Sequence, residues 1–275
     1  MFLTTSMFLS PRRSLFALVA LAFLAGTPAL ATWTHLQDVS WPNGEEGCAI
    51  GTTQCTLGPF SNPTTAGSTL ALGFGLHQIA GQGQGQIQIV SAYTCNIPSP
   101  PTSTTCDPAN GNVIDTFTFP ENHECGDSDG VHFVDCAYVV AGAGGATFLT
   151  INITSGGNHW FPSMTEALSD TGTQTFDAAG AAKSSEDSLT HPGVTFNLIG
   201  TNDFIFQIID AGSDESEITP FPTICSGQTY VGLFDDHYAS AYALNTSCGM
   251  APIWTCTYSN DCPDTGVVGA VAFKE

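Results

Sequence analysis

Positive charge is almost absent from this sequence. Only 4 of its 275 residues are Lys or Arg, against 25 Asp or Glu, and the formal net charge is −21. A chain with this imbalance repels nucleic-acid phosphates and anionic membrane surfaces, so we expect no nucleic-acid partner and no anionic-membrane partner. Charged residues make up only 11% of the chain and hydrophobic residues 42%, which excludes a disordered acidic tail and predicts a folded core.

Long apolar runs are also lacking, except for one near the N-terminus. Arg12 and Arg13 precede an apolar stretch at residues 14–25, and Pro28 and the small-x-small tripeptide at 29–31 follow it. This order is typical of a cleaved signal peptide. The apolar stretch of about 12 residues is shorter than the roughly 20 that span a bilayer. We therefore predict export, no membrane insertion after cleavage, and a secreted location that is extracellular or at the cell surface.

The predicted organisation is a signal peptide at residues 1–31 and a single domain at residues 32–275. No linker, repeat or sustained helical period interrupts the second part. Apolar and polar residues alternate instead in many short segments, separated by Gly, Pro, Ser and Asn clusters; examples are residues 70–76, 148–154, 194–198, 204–209 and 267–273. Such alternation predicts strands with one buried face. We therefore expect an all-β fold, a two-sheet antiparallel sandwich of jelly-roll type, whose Ala-rich segment 177–186 is a loop.

All ten cysteines lie in the part predicted to be exported, where disulfides form and persist. Their spacing predicts three local disulfides that staple the sandwich, namely Cys48–Cys55, Cys95–Cys106 and Cys125–Cys136. For the last four, three pairings remain open. These are Cys225, Cys248, Cys256 and Cys262. Zinc ligation is disfavoured because the chain has no Cys-x-x-Cys pair.

Several motifs follow one another along the chain in an order that matches a known group of proteins. They occupy residues 60–74, 107–112, 137–151, 201–206 and 266–273. In this order the chain resembles a group of secreted, largely uncharacterised β-sandwich proteins of soil bacteria. The resemblance implies a lectin-like or adhesin-like jelly roll, and it carries no catalytic residues. The ten cysteines and the segments around 95–130 and 245–264 depart from the pattern.

The densest polar segment suggests a metal site. Asp127 and Asp129 flank a turn, and Asp135 follows closely. Hard oxygen ligands beside a tight turn suit Ca²⁺, although the third ligand and the bidentate Glu of an EF-hand loop are missing. Calcium is therefore the one candidate cofactor, and apart from it we expect none. A solvated, disulfide-closed loop is the alternative. His123 and His132 bracket this segment and offer a transition-metal site if the loop folds back.

Aromatic residues beside polar ones suggest a ligand site. His159 and Trp160 form one such group, and Asp236, His237 and Tyr238 form another. Flat rings next to carboxylates suit sugar stacking, whereas the alternative is that these rings fill the core. Trp254 lies in an apolar run and is predicted to be core. We therefore expect a glycan- or surface-binding protein.

Two other functions remain open. An exported chain of this type could build a fibre or matrix by self-association through its strand edges. A secreted hydrolase would need paired carboxylates about 5–10 Å apart, for which the sequence offers Glu166, Asp210, Asp235 and Asp236. The Gly-x-Ser-x-Gly elbow of a serine hydrolase is absent.

Overall fold

A computed structural model describes most of the chain that follows the predicted signal peptide. The described residues are 32–40, 48, 51–77, 87–97, 105–155, 159–184, 190–198, 202–210, 218–221, 231–234, 238–247, 249, 253–256 and 266–275. Within them, the side chains of residues 77, 159, 160, 218–221, 232–234, 253, 255 and 256 are not described.

Nearly every regular element in these residues is a strand. The strands are β1 (Trp33–Ser40), β2 (Gln54–Leu57), β3 (Thr69–His77), β4 (Ile89–Cys95), β5 (Val113–Thr116), β6 (Asp127–Ser128), β7 (His132–Val139), β8 (Phe148–Ile153), β9 (His159–Ser169), β10 (Thr175–Lys183), β11 (Thr190–Pro192), β12 (Asp203–Asp210), β13 (Ile218–Phe221), β14 (Val231–Phe234), β15 (Tyr238–Thr246), β16 (Ile253–Cys256) and β17 (Val267–Lys274). Two short 3₁₀ helices, Pro108–Asn110 and Glu121–His123, complete the described elements.

The described strands form four antiparallel sheets. Outer sheet 1 has the order β2-β8-β4-β5, inner sheet 1 β1-β9-β3-β7-β6, inner sheet 2 β10-β17-β12-β15-β14, and outer sheet 2 β11-β16-β13. Three apolar cores lie between successive sheets, one between the two inner sheets and one under each outer sheet. The predicted all-β antiparallel sandwich is confirmed, with four sheets where two were expected.

The inner sheets have apolar residues on both faces. In β12, Phe204, Phe206 and Ile208 enter the core between the inner sheets, while Ile205 and Ile209 enter the core under outer sheet 2. The whole strand is buried. A strand covered on both faces needs apolar residues at every position, not at every second one. Two such sheets therefore each require a further layer outside them.

Glycine on β3 allows the two inner sheets to approach closely. A Cβ atom added at Gly73 would lie 2.8 Å from side-chain atoms of Phe206 and Ile208, and one added at Gly75 would lie 2.6 Å from the ring of Tyr238. These distances are shorter than van der Waals contact. The alternation in β3 is thus between large residues that face outer sheet 1 and small residues that face inner sheet 2.

Two predictions of local structure are wrong. The segment 177–186 was expected to be a loop, but most of it belongs to β10, an edge strand that pairs along its length with β17. The segment 194–198 was expected to be a strand, but it lies outside the sheets. There the amide of Gln207 takes the place of a neighbouring strand, since it accepts from the Val194 N–H (3.1 Å) and donates to the Val194 carbonyl (3.0 Å).

Two of the predicted disulfides are formed. Cys48 is bonded to Cys55 and Cys95 to Cys106, so the sandwich is disulfide-stapled as expected. The third predicted pair, Cys125 and Cys136, is present as two buried free thiols. The last four cysteines, Cys225, Cys248, Cys256 and Cys262, lie outside the described residues or, for Cys256, have an undescribed side chain.

We expect the substitution Gly75→Ala to destabilise the protein. Its methyl group would overlap the Tyr238 ring, and overpacking of this kind costs about 1–3 kcal/mol. Denaturant unfolding of the variant measures this loss. Gly142→Ala is the matched control, because its added Cβ would make only ordinary contacts at 3.5 Å. Equal stability of the two variants would contradict the close approach of the inner sheets.

Candidate functional site

A pocket of about 260 Å³ opens between the end of β1 and the loop that follows β2. Its lining combines a carboxylate, two hydroxyl-bearing residues and apolar surface; the lining residues are Asp38, Val39, Ser40, Gly58, Pro59, Phe60 and Ser61. Strand β1 is an edge strand of inner sheet 1, so this pocket lies at the sheet edge, where polar groups can reach solvent.

The Asp38 carboxylate is held in one orientation. Its Oδ1 accepts from the Thr165 hydroxyl at 2.8 Å, and its Oδ2 lies 2.9 Å from His35 Nε2. The His35 ring stacks on Tyr242 with ring centroids 4.6 Å apart. Burial raises the pKa of Asp38, although the bonds from Thr165 and His35 lower it. Burial and the Asp38 charge together raise the pKa of Tyr242 to about 12. The side chain of Asp38 is still 16% exposed, so a ligand hydroxyl can reach it.

Glu166 fixes the segment that directly follows the pocket-lining residues 58–61. This fully buried carboxylate on β9 accepts from the Thr65 N–H (2.6 Å) and the Ser68 hydroxyl (2.7 Å) through Oε1, and from the Gln37 amide (2.6 Å) through Oε2. The Gln37 amide also donates to the Asn62 carbonyl at 3.1 Å. These bonds tie residues 62–68 to the sheet. The sequence offered Glu166 only as a hydrolytic carboxylate and missed this role.

The predicted pairing of carboxylates is not formed by Glu166 and Asp210. Glu166 lies opposite Leu70 in the sheet register, on the face that packs against outer sheet 1. Asp210 accepts from the Phe133 N–H at 3.2 Å and lies beside Gly75, on the side of inner sheet 2. The sheet separates the two. Asp235 and Asp236 are outside the described residues.

The expectation that Tyr238 binds a ligand at the surface is wrong. Its side chain is fully buried between the inner sheets, where its ring stacks on Phe161 with centroids 5.7 Å apart. Tyr238 occupies an inward position of β15, and the missing side chain of Gly75 makes room for its ring. Trp254, predicted to be core, is fully buried.

The other residues of the predicted sugar site have undescribed side chains. His159 and Trp160 are the first two residues of β9, but only their backbone is described. Asp236 and His237 lie outside the described residues. Their predicted role in ligand binding stays a prediction.

The three carboxylates of the predicted calcium site belong to separate networks. Asp127 accepts from the N–H of its own turn at 2.7 Å, Asp129 bonds to the His132 ring at 2.7 Å, and Asp135 bonds to the His123 ring at 2.8 Å. Burial raises the pKa of Asp129, but the bonds from His132 outweigh this and bring it to about 2. Among the described side chains, no group of three or more His, Cys, Asp or Glu is arranged to hold a metal ion.

A second polar cluster is buried at one end of the core between the inner sheets. His132 on β7 is 3% exposed, and Asp210 on β12 is fully buried. Burial raises the pKa of Asp210 to about 7, although a positive charge on His132 would lower it. Nearby, His191 lies 2.6 Å from the Ser184 hydroxyl, and burial lowers its pKa to about 4. One feature of the sequence pointed to this cluster, because Asp210 is a carboxylate at the end of β12, a strand whose residues are mostly apolar.

The buried thiols lie beside the network of Asp135. The Cys125 thiol donates to Asp135 Oδ1 at 3.7 Å, and Asp135 Oδ1 also accepts from the Cys136 N–H at 2.9 Å. Burial raises the pKa of both thiols. The two thiols are in hydrogen-bonding contact, but the disulfide that the spacing predicted between them is not formed.

No protein-family model matches the chain, and no curated protein matches it in sequence. Within the part of the chain that the structure describes, no helix has the length and apolar character needed to cross a membrane. The function must therefore be argued from the geometry of the chain itself.

We expect His123→Gln to destabilise the protein more at acid than at alkaline pH. The bond to Asp135 raises the pKa of His123, so the stability from this charged pair is fully present below pH 6.5 and is lost as pH rises through the raised pKa. A charge-assisted hydrogen bond contributes about 1.5–3 kcal/mol. Denaturant unfolding of variant and wild type at pH 5 and pH 9 measures the difference. A pH-independent loss would contradict this assignment.

We expect Cys125 and Cys136 to be joined in protein recovered from an oxidising compartment. Both are buried and in contact, and local thiol pairs in exported proteins persist as disulfides. Peptic digestion without reduction, followed by mass spectrometry, should yield one peptide pair that contains both. The Cys95–Cys106 pair is the internal control. Labelling of both thiols after unreduced denaturation would show that they are free.

Proposed function

We propose that the protein is an exported binding protein that takes a small polyhydroxylated group, such as one sugar unit of a glycan, in the Asp38 pocket. The observation that carries this proposal is that Asp38, whose carboxylate is bonded to two neighbours and still partly exposed, lines this pocket. Carboxylates accept strong hydrogen bonds from hydroxyl groups. Preformed walls reduce the ordering cost of binding.

The size and lining of the pocket favour a sugar unit over a larger ligand. Drug-sized ligands occupy pockets of about 300–1,000 Å³, and this pocket, at about 260 Å³, lies just below that range. Hydroxyls of Ser40 and Ser61 can bond to polar edges of a sugar, while Val39, Pro59 and Phe60 offer apolar surface to its C–H face. The same lining is unsuited to an anion, because it includes a carboxylate and no cation.

Export supports an extracellular ligand. The N-terminal signal pattern and ten cysteines in the rest of the chain are typical of secreted proteins, and two disulfides are formed. With Lys183 and Lys274 as the only basic residues after the signal, the chain offers few sites to trypsin-like proteases. These features suit persistence outside the cell.

The two other functions have less support. Fibre assembly needs accessible strand edges, but most edge strands of the described sheets have only two to four residues, a length that limits edge-to-edge pairing; these are β2, β5, β6, β11, β13 and β14. The longer edge strands β1 and β10 are the remaining routes to self-association. Hydrolysis would need paired carboxylates, and Glu166 and Asp210 are on opposite sides of a sheet.

We expect Asp38→Asn to weaken glycan binding by about 10-fold or more, since it removes a charged hydrogen-bond acceptor. Titration of the wild-type protein against a panel of polysaccharides identifies the ligand, and the variant is then titrated with it. Glu121→Gln is the control, because it removes the same charge from an exposed position. Wild-type affinity in Asp38→Asn, or no binding by wild type to any sugar of the panel, would contradict the proposal.

A further inference from the structure

The residue that precedes β1 is held by a single carboxylate. Asp170, in the loop that joins β9 to β10, accepts from the Thr32 N–H through Oδ1 at 2.9 Å and from the Thr32 hydroxyl through Oδ2 at 2.8 Å. The Asp170 N–H donates in return to the Thr32 carbonyl at 3.1 Å. These bonds continue the ladder between β1 and β9, whose first pair is Trp33 and Ser169. They engage every polar group of Thr32.

The next residue, Trp33, fixes the position of Thr32. Its N–H donates to Asn245 Oδ1 at 2.6 Å, its carbonyl accepts from Asn245 Nδ2 at 3.0 Å, and its indole N–H donates to the Asn202 carbonyl at 2.8 Å. The Trp33 side chain is buried and lies against Phe204, with ring centroids 5.5 Å apart. A buried anchor therefore holds the backbone nitrogen of Thr32 in place.

Negative charge accumulates around this nitrogen. The backbone and side-chain bonds from Thr32 lower the pKa of Asp170, so its carboxyl group is charged at neutral pH. Burial raises the pKa of the Glu275 carboxyl group, and the nearby Asp170 charge raises it further, although a bond from Ser169 lowers it. Like charges at short range are unfavourable, so a positive charge beside Asp170 would be stabilising.

The two lysines of the exported part are engaged elsewhere. Lys183 donates to the Ser128 carbonyl at 3.2 Å, and Lys274 is bonded to Asp177 at 3.0 Å. No other Lys or Arg follows residue 31 in the sequence. Apart from protonated histidine, the remaining cation of an exported chain is its α-ammonium group, whose ordinary pKa is about 7.7–8.0.

We propose that signal cleavage occurs between Ala31 and Thr32, and that Asp170 is the binding site for the α-ammonium group that this cleavage creates. The small-x-small tripeptide at 29–31 is the pattern that signal peptidases recognise, and it ends at Ala31. The proposal shares with the proposed function only the export of the chain, and it does not depend on what the Asp38 pocket binds.

Cleavage changes the charge of the Thr32 nitrogen and requires no change in its position. Hydrolysis of the peptide bond uses one water molecule. Ala31 leaves with the water oxygen as a carboxylate, and the Thr32 nitrogen takes both water protons to become an ammonium. The 2.9 Å bond to Asp170 then becomes an ion pair, at a distance that suits a charge-assisted bond. The first residue of the processed chain would thereby close β1 onto the end of β9.

The cleavage position is tested on the exported protein. The full chain is produced with its leader in a secreting bacterium, and the exported product is examined by Edman degradation and intact mass. We expect the sequence to begin Thr-Trp-Thr-His and the mass to match residues 32–275. An uncleaved leader, or a first residue other than Thr32, would overturn the proposal and leave the Asp38 pocket untouched.

The pKa of the α-amino group tests the binding site. Trace labelling with acetic anhydride over a series of pH values measures this pKa, because only the neutral amine reacts. The pair is exposed, so we expect a modest effect, with the pKa about 0.5 unit higher in wild type than in Asp170→Asn. Glu124→Gln is the matched control, since it removes one carboxylate from an exposed position elsewhere and should keep the wild-type pKa.

Equal pKa values in wild type and folded Asp170→Asn would overturn the assignment of Asp170. Circular dichroism checks that each variant is folded. If Asp170→Asn does not fold, the native and urea-denatured forms of wild type are compared instead. A native pKa that is no higher than the denatured one would then overturn the assignment.

Discussion

The close approach of the two inner sheets is the constraint on which the rest of the structure depends. Gly73 and Gly75 on β3 contribute no side chain to the space between the two sheets. A Cβ added at Gly269 of β17 would lie 2.4 Å from the Cys125 carbonyl oxygen. Protein interiors are packed as densely as organic crystals, so large residues from one sheet must meet small ones from the other. Because both inner sheets are covered on this face and are apolar on the other, each is followed by an outer sheet.

Both faces of each inner sheet are buried, so the hydrogen bonds of a polar side chain in these sheets show how the protein compensates for its burial. Such a group finds no water and must be bonded within the protein. The Ser163 and Ser240 hydroxyls meet each other at 2.7 Å between the inner sheets, and Gln207 bonds to the backbone of Val194 in the next core. These groups are satisfied by their neighbours. Asp210 accepts from the Phe133 N–H at 3.2 Å.

Local patterns in the sequence predicted the strands and two disulfides, but not the layering. Apolar–polar and large–small alternation both have a period of two, so the face of β3 that carries Gly75 was not recognised as a second packing surface. For the same reason Tyr238 was expected at the surface, while it fills the space that Gly75 leaves. The alanines of β10 carried no apolar signal. The Asp38 pocket depends on contacts between segments that are distant in the sequence, which no local pattern contains.

The scarcity of lysine and arginine shapes the electrostatics of the interior. A chain with 25 acidic residues and 4 basic ones must stabilise most of its buried carboxylates without permanent cations. Glu166 uses an amide, a hydroxyl and a backbone N–H. Others use histidine, in the pairs His35–Asp38, His123–Asp135 and His132–Asp129. Lysine stays protonated at neutral pH, whereas histidine loses its charge between about pH 5 and pH 8. The pairs of histidine with aspartate that this acidic chain uses in place of lysine therefore make its interior responsive to pH.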